Sequence, residues 1–268
     1  MQSNTYEGLH IVNTSKSIIN DELVVEAPLQ ININQEAYTV VMRTPGSDQE
    51  LVLGLLYAED IYKKDTPVSL EIIEEKYDIP SIINLTIEKE YLGDGYLNKR
   101  TLLSVSSCGI CGKQKLEDLT TSGDTIDRNV SFSSENLLSM FAPLQEQQTI
   151  FKKPGGSHAA GIFDNHYELM TIKEDIGRHN AVDKCVGDLL LKKSLHKGTY
   201  LLVSGRVSYE IISKAFLAKI PVVVAVSACS SMAVDYAKEF GICLIGFSRE
   251  SKMTVYSNPS FLNSKTLR

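Results

Sequence analysis

The alternation of apolar and polar positions predicts an N-terminal part that mixes strands with a helix. Across residues 23–43, Val, Ile and Leu partly alternate with polar residues, which predicts two half-buried strands around a turn near Asn34. A helix is expected to follow, because Ser47 and Glu50 have the spacing of a capping box ahead of an apolar stripe. This part is therefore predicted to be α+β, and it continues with strands at residues 70–73, 82–87 and 101–105.

Beyond residue 156 the pattern becomes regular, with apolar runs typical of strands separated by stretches of helical periodicity. A predicted helix at residues 134–147 and a Gly-Gly turn precede it. The predicted order is a hairpin of strands 159–163 and 167–172, helix 180–193, strand 200–203, helix 208–219, strand 221–226, helix 230–240 and strand 242–247. Such alternation implies a layered α/β domain whose ligands approach the loops at the ends of strands.

We predict two domains in a chain of 268 residues. An α+β N-terminal domain covers residues 1–128 and ends in a mobile loop, residues 106–128, that carries a Cys-x-x-Cys motif. A layered α/β domain covers residues 129–268. The fold class as a whole is predicted to be α/β.

Charge and hydropathy narrow the range of functions. Lys and Arg number 27 against 33 Asp and Glu, a net charge of −6, which argues against general binding to nucleic acid or to an anionic membrane. The polar N-terminus and the absence of a long apolar run predict neither a secretory signal nor a membrane span. We therefore expect a cytoplasmic protein. Its net negative charge is compatible with a local basic pocket.

Two of the five cysteines, Cys108 and Cys111, lie three residues apart in a glycine-rich segment predicted to be exposed. The neighbouring Lys113 and Lys115 favour the thiolate, which is the form of cysteine that attacks sulfur. The second thiol of such a pair can resolve a disulfide or persulfide on the first. The arrangement favours nucleophilic sulfur chemistry at this pair.

Two other interpretations of the cysteine pair stay open. A structural zinc site needs about four ligands, and the remaining cysteines, Cys185, Cys229 and Cys243, are scattered through predicted helices and strands. A thioredoxin-like dithiol normally opens a helix within a βαβ unit, whereas this pair follows a predicted strand in a loop. Zinc is kept as the main alternative to sulfur chemistry.

Two polar segments in the second half are candidates for binding an anion. Gly156 and His158 belong to a Gly-Gly-Ser-His turn that permits close backbone approach. Arg178, His179 and Asn180 lie at the start of the predicted helix 180–193, where free N–H groups favour phosphate and a guanidinium can bind it bidentately. The alternative is that these segments bind no ligand and form only a turn and a helix start that carries solvated charges.

Two further segments follow predicted strands. Ser204 and Arg206 repeat the combination of a small turn, a guanidinium and a hydroxyl, so two neighbouring loops are predicted to form one pocket for an anionic ligand. Phe247 can stack on a planar heterocycle while Arg249 and Lys252 contact phosphate. The structural interpretation of this last segment is a polar surface loop.

The ordered set of motifs resembles one family, the formate dehydrogenase accessory sulfurtransferases, also called FdhD proteins. The similarity extends over nearly the whole chain. Its blocks, in chain order, are residues 26–29, 44–45, 53–56, 108–112, 155–160, 174–184, 204–208 and 245–249. Two departures from the family pattern stand out, Asp60 in place of a common glycine and Cys229 in place of a usual proline.

The resemblance implies a cytoplasmic sulfur carrier. Such a protein accepts persulfide sulfur from a cysteine desulfurase and passes it to the molybdenum bis(pyranopterin guanine dinucleotide) cofactor that formate dehydrogenase requires. Cys108 matches the persulfide-carrying cysteine and Cys111 the second of the pair. The cofactor is bound as a substrate, a guanine nucleotide is expected to mimic it, and the family's cofactor-binding stretch corresponds to Phe247, Ser248, Arg249, Glu250, Ser251 and Lys252.

The resemblance also implies a homodimer and a C-terminal domain with a cytidine deaminase-like fold. Deaminase chemistry is not expected, because a zinc deaminase needs His-x-Glu and, downstream, Pro-Cys-x-x-Cys. Here His158 is followed by two alanines, and the Cys-x-x-Cys lies upstream of it. The alternative function is a zinc-stabilised chaperone that binds the cofactor or the apoenzyme without sulfur chemistry.

Overall fold

The structure, a computed structural model, describes residues 2–63, 66–97, 124–126, 130–153, 155–249 and 252–262. The first of its three sheets is an isolated two-stranded ribbon in which β1 (Ser3–Val12) pairs antiparallel with β2 (Ser15–Val24). The sequence pattern does not predict this ribbon, because its apolar residues do not alternate and so mark neither face for burial.

The second sheet confirms the strands predicted within residues 23–43 and at residues 70–73 and 82–87, while the strand predicted at residues 101–105 lies outside the described residues. It has the order β4 (Glu36–Arg43), β3 (Ala27–Ile33), β6 (Ile79–Thr86) and β5 (Ser69–Lys76). Helix α1 (Asp48–Ala58) follows β4 as predicted, but the predicted capping box is wrong. Ser47 is in the left-handed region at φ 54°, and its hydroxyl accepts a hydrogen bond from Lys173 Nζ instead of capping the helix.

The third sheet has six strands and confirms the alternating pattern of the second half. Its order is β12 (Lys252–Val255), β11 (Cys243–Arg249), β10 (Val222–Ala225), β9 (Tyr200–Val203), β7 (His158–Phe163) and β8 (Leu169–Asp175). Strands β9, β10 and β11 are parallel, while β7 is antiparallel to both of its neighbours. The connecting helices are α5 (Arg178–Leu191), α6 (Tyr209–Leu217) and α7 (Ser231–Phe240). The fold is therefore a mixed α/β fold.

The single helix predicted at residues 134–147 is divided. The structure has α2 (Ser134–Ser139), α3 (Phe141–Glu146) and a short α4 (Thr149–Lys152). Pro143 explains the break, because a proline offers no N–H and its ring clashes with the carbonyl four residues earlier, at Ser139. No helix among the described residues is both long and apolar enough to span a bilayer.

Both faces of the six-stranded sheet are buried. Val223 and Ala225 of β10 contribute to a core that includes residues of α1, α5, α6 and α7 and of the four-stranded sheet. Val222 and Val224 of the same strand face a smaller core that includes residues of α2 and α3. The larger core joins residues from both sides of the domain boundary predicted at residue 128, and that position itself lies outside the described residues.

Helices α1 and α5 cross at two glycines. A Cβ on Gly54 would lie 1.9 Å from the carbonyl oxygen of Asp183, and one on Gly187 would lie 1.8 Å from that of Glu50. Both distances are far below any real contact, so only glycine permits this approach of the two backbones. The crossing fixes the position of α5, whose first turn contains three of the predicted ligand-binding residues.

Candidate functional site

Five loops that carry predicted ligand-binding residues or lie next to them meet at one edge of the six-stranded sheet. Strands β8 to β11 run in one direction, so their carboxyl ends lie together, and antiparallel β7 begins at the same edge. The register pairs His158 with Asp175 and Ala160 with Val203. We call this edge the polar edge, and its loops are residues 155–158, 175–178, 204–208, 226–230 and 246–249.

The loop that follows β9 packs directly on the start of β7 and of α5. A Cβ on Gly205 would lie 3.1 Å from His158 Nδ1 and 3.5 Å from Arg178 Cβ. Ser204 accepts a hydrogen bond of 2.9 Å from the N–H of Ala159. The structure therefore places the predicted residues Ser204, His158 and Arg178 side by side, while Gly156 and Arg206 are exposed in the same two loops.

His158 is held in an environment that disfavours its charged form. Burial lowers the pKa of its imidazole, and the nearby Arg178 and His179 lower it further, against an opposing effect of Asp175. The ring is consequently neutral at physiological pH, with one nitrogen able to accept a hydrogen bond. A neutral His158 does not add positive charge to the polar edge.

His179 and Asn180 make hydrogen bonds within the protein. Nε2 of His179 lies 2.9 Å from Oε2 of Glu210 and 3.1 Å from the hydroxyl of Ser208. The amide of Asn180 donates to the carbonyl of Met42 at 2.8 Å. These contacts tie the first turn of α5 to the first turn of α6 and to β4.

The beginning of α5 is anchored by a buried ion pair that the sequence interpretation missed. Lys184 Nζ lies 2.7 Å from Oδ2 of Asp175, with the two side chains 1% and 0% exposed. The carboxylate also accepts hydrogen bonds from the N–H groups of Thr44 and Gly177 and from the amide of Asn180. The interpretation of this segment as solvated charge is therefore wrong for Asp175 and Lys184.

Glu174 fixes the loop that leads into β7. Its carboxylate accepts hydrogen bonds from the N–H groups of Ile150 and Phe151 and from the hydroxyl of Ser157. The sequence contains a signal for both carboxylates, since Glu174 and Asp175 end a strand that is otherwise largely apolar. Both carboxylates position the polar edge, because their bonds hold the loops on either side of it to neighbouring segments.

Two helices that begin at the polar edge lack side-chain caps. Gly177 precedes α5 and offers no side chain, and Ser208 precedes α6 without capping it. The Ser208 hydroxyl is instead bonded with His179 and with Glu210. By contrast, Ser230 caps α7 by accepting from the N–H of Ala233. Neither of these two neighbouring helices is therefore capped by the residue that precedes it, and the N-terminal end of a helix favours an anion.

Within the described part of the chain, three buried side-chain polar atoms have no hydrogen-bond partner: Nε of Arg178, Oε1 of Glu210 and Oγ of Ser248. Arg178 and Glu210 lie in the first turns of α5 and α6, and Ser248 lies near the end of β11. All three residues therefore lie at the polar edge. Buried polar atoms are nearly always bonded in native proteins, so this clustering indicates a polar ligand or water at that edge.

The segment after β11 begins with a strained aromatic residue. Phe247 has φ 52°, in the left-handed region that a bulky residue rarely adopts, and its side chain is 49% exposed. Its N–H donates to the carbonyl of Ser227 at 3.0 Å, and the β11–β12 register shifts between Gly246 and Arg249. A strained backbone and an exposed apolar ring therefore occur together at the polar edge, and the stacking role of Phe247 stays a prediction.

Of the other residues predicted in this segment, Lys252 opens β12 and is exposed. Glu250 and Ser251 lie outside the described residues, as do the two cysteines of the predicted carrier, Cys108 and Cys111. Their predicted roles stay predictions.

The three cysteines that the structure describes are poorly suited to nucleophilic chemistry. Burial raises the pKa of Cys229 to about 11 and that of Cys243 to about 12. Burial also raises the pKa of Cys185, which donates to the carbonyl of Ala160. All three stay protonated near neutral pH, and the described residues contain no group of three potential metal ligands from His, Cys, Asp and Glu.

Taken together, the fold and the polar edge define a layered α/β protein with the features of an anion-binding site at its strand ends. Comparison with known proteins identifies the family. The profile of the FdhD/NarQ family matches residues 24–263, and this chain belongs to that family.

Relatives from distant organisms are similar over most of their length. "Sulfur carrier protein FdhD" from Sulfurisphaera tokodaii is 36% identical over 262 residues, which are 96% of this chain and 98% of the relative. The protein of the same name from Streptomyces avermitilis is 41% identical over 249 residues, covering 88% and 87%. A crystal structure from Desulfotalea psychrophila, described as a formate dehydrogenase accessory protein, has a TM-score of 0.78 at 20% identity and covers 98% of this chain and 100% of that one. The last comparison supports the fold.

Proposed function

We propose that this protein is a sulfur carrier that serves the maturation of formate dehydrogenase in the cytoplasm. Cys108 accepts sulfur from the persulfide of a cysteine desulfurase. The sulfur then passes to a molybdenum bis(pyranopterin guanine dinucleotide) cofactor, which is the substrate and is held at the polar edge. The second half of the chain supplies that edge and is, in this proposal, a cytidine deaminase-like domain.

The observation that carries the proposal is the clustering of the three unpartnered polar atoms at the polar edge, beside two helix N-termini without side-chain caps. The guanidinium of Arg178 and the positive ends of the two helix dipoles suit the phosphates of a dinucleotide. The exposed ring of Phe247 suits the planar guanine. The relatives' common name, sulfur carrier protein, supports the carrier role in this proposal.

The cysteines separate into two groups that agree with a carrier role. Those of the described fold are buried or half-buried thiols of raised pKa, so they do not compete for sulfur. The sulfur chemistry is assigned to Cys108, with Cys111 as the second thiol of the pair.

Sulfur loading is a thiolate exchange that needs no external oxidant. The Cys108 thiolate attacks the outer sulfur of the donor persulfide, a new S–S bond forms, and the donor's S–S bond breaks to release its cysteine as a thiolate. The outer sulfur keeps its proton and is now bonded to Cys108 as a persulfide. In the second step that sulfur takes two electrons from the molybdenum centre as it becomes a metal ligand, and Cys108 is left as a thiol.

The proposal is tested by incubating the reduced protein with a cysteine desulfurase and cysteine and then measuring its intact mass. We expect the mass of one or more sulfur atoms to be added and to be removed by a thiol reductant. Zinc is measured on the same sample. A protein that takes up no sulfur and holds stoichiometric zinc, lost when Cys108 is changed to Ala, would instead be the zinc-stabilised chaperone.

Arg178→Ala is expected to weaken the binding of GDP, used as a probe of the nucleotide part of the cofactor, by about tenfold to a hundredfold. The reason is that a hydrogen bond to a charged group contributes roughly 1.5–3 kcal/mol. Isothermal titration calorimetry measures the effect. Lys192→Ala is the matched control, since it removes one positive charge at the opposite end of the same helix, where Lys192 is paired with Asp188.

Sulfur loading by the Arg178→Ala protein is expected to equal that of the parent, because the loading step does not involve the polar edge. Ser248→Ala adds a second probe of the same site. Its hydroxyl has no partner in the fold, so the variant should be as stable as the parent while it binds GDP more weakly. If both variants bind GDP as the parent does, the nucleotide does not bind at the polar edge.

A further inference from the structure

Glu210, in the first turn of α6, has one carboxylate oxygen that the described fold leaves without a donor. Its Oε2 lies 2.9 Å from Nε2 of His179 and accepts a hydrogen bond of 3.2 Å from the hydroxyl of Ser208. Its Oε1 is buried, and no group among the described residues bonds to it. Because an unbonded buried oxygen costs free energy, this arrangement indicates a donor from outside the protein, either a ligand or a water.

The carboxyl of Glu210 is ionised near neutral pH. Burial raises its pKa, but the hydrogen bonds with His179 and Ser208 and the charges of His179 and Lys214 outweigh burial, so the pKa lies below its usual value. An ionised carboxylate only accepts hydrogen bonds, so its partner must carry an N–H or O–H group. Phosphate is a poor partner, since two negative charges repel each other.

The carboxylate is also held in place before any ligand arrives. The side chains of Glu210 and His179 are 11% and 7% exposed. The two bonds to Oε2 fix the orientation of the carboxylate, which fixes the position of Oε1 as well. A group that is already ordered loses little entropy on binding, so Oε1 is suited to recognise one particular donor of a ligand.

The sheet order places Glu210 between the residues proposed to hold the two ends of a nucleotide. The strands at the polar edge follow one another as β11, β10, β9, β7 and β8. Phe247 lies in β11 and Glu210 follows β9, two strands away, which is about 10 Å at the usual strand spacing. On the other side, Arg178 adjoins His179, which contacts Glu210. The order along the edge is therefore aromatic ring, carboxylate, guanidinium.

A guanine nucleotide has a matching order of groups, namely base, ribose and phosphate. With the base on Phe247 and the phosphates at Arg178, the ribose lies between them, and its hydroxyls are the donors nearest to Glu210. We propose that Oε1 of Glu210 accepts a hydrogen bond from a ribose hydroxyl and so makes the site specific for ribonucleotides. Acidic residues have this role in dinucleotide-binding α/β folds. The inference rests on the proposed function, because it takes a guanine nucleotide as the ligand.

The test compares the binding of GDP and of 2′,3′-dideoxy-GDP to the purified full chain by isothermal titration calorimetry. We expect the parent to bind GDP about tenfold to a hundredfold more tightly, because the dideoxy form lacks the hydrogen bond to a charged group. In Glu210→Ala this preference should disappear. In Glu210→Gln it should fall severalfold, since a neutral acceptor makes a weaker bond. A purely structural role for Glu210 would weaken both nucleotides equally and leave their ratio unchanged.

Glu239→Ala is the matched control. It removes the same charge from an exposed position in the last turn of α7, a helix whose other end lies at the polar edge. The control should keep the preference of the parent for GDP. Circular dichroism and thermal unfolding establish that each variant is folded.

A parent that binds GDP and its dideoxy form equally overturns the proposal, and so does a preference that persists in Glu210→Ala. IDP, whose base lacks the 2-amino group of guanine, tests the alternative partner. If Glu210→Ala loses a preference for GDP over IDP and keeps the preference for GDP over its dideoxy form, the carboxylate contacts the base, which overturns the ribose assignment. Failure of the proposed function looks different, because the parent would then bind none of these nucleotides.

Discussion

Replacing Cys108 with Ala is expected to abolish the loading of labile sulfur by a cysteine desulfurase. The variant lacks the thiolate that attacks the donor persulfide, and the remaining described cysteines have pKa values too high to take its place. Intact-mass spectrometry after incubation with the desulfurase and cysteine measures the loss. Cys111→Ala is expected to keep the first sulfur on Cys108, because the second thiol acts only after loading.

Cys229→Ser is the matched control for this experiment. Burial raises the pKa of Cys229 to about 11, so its thiol is protonated and takes no sulfur near neutral pH. The serine variant should load as much sulfur as the parent does. If sulfur loading persists in the Cys108 variant and disappears in the Cys229 variant, the carrier is Cys229 at the polar edge and not Cys108.

Asp175→Ala is expected to lower the free energy of unfolding by about 3–5 kcal/mol. It leaves the ammonium of Lys184, which is 1% exposed, as an uncompensated buried charge. It also removes the acceptor for the N–H groups of Thr44 and Gly177. Urea unfolding measures the change as a lower midpoint at unchanged slope.

The partner variant Lys184→Met should be less harmful, because three of the donors to the Asp175 carboxylate remain. Lys76→Ala serves as the control, since it breaks the exposed ion pair between Lys76 and Glu74 and is expected to leave the midpoint unchanged. An Asp175→Ala protein with the stability of the parent would mean that the buried pair does not hold α5 in place.

The second half of the fold could be predicted from the sequence because its strands are buried on both faces and its helices are strongly periodic. The run at residues 221–226 is an example, with alternate residues of β10 entering two different cores. The N-terminal ribbon could not be predicted, because its apolar residues point to both faces and no alternation marks either one. The capping box was predicted wrongly for a different reason. The Ser47 side chain bonds with Lys173, which is distant in sequence, and a local motif does not reveal such a contact.

The candidate site could be predicted only in part. Loops at the ends of neighbouring strands must meet, so the positions of His158, Arg178 and Ser204 follow from topology once the strand order is known. Within the segment 174–184, the sequence does not show which charged residues support the fold and which face the candidate site. Asp175 and Lys184 are buried supports, whereas Arg178 beside them has an unpartnered Nε, and tertiary contacts with Thr44 decide between these roles.

The glycine crossing of α1 and α5 has a mechanical consequence. Where backbone touches backbone, no side chain can change rotamer to absorb a displacement, so the two helices move as one rigid unit. A ligand that draws in the first turn of α5 thus also shifts α1 and the sheet that it covers.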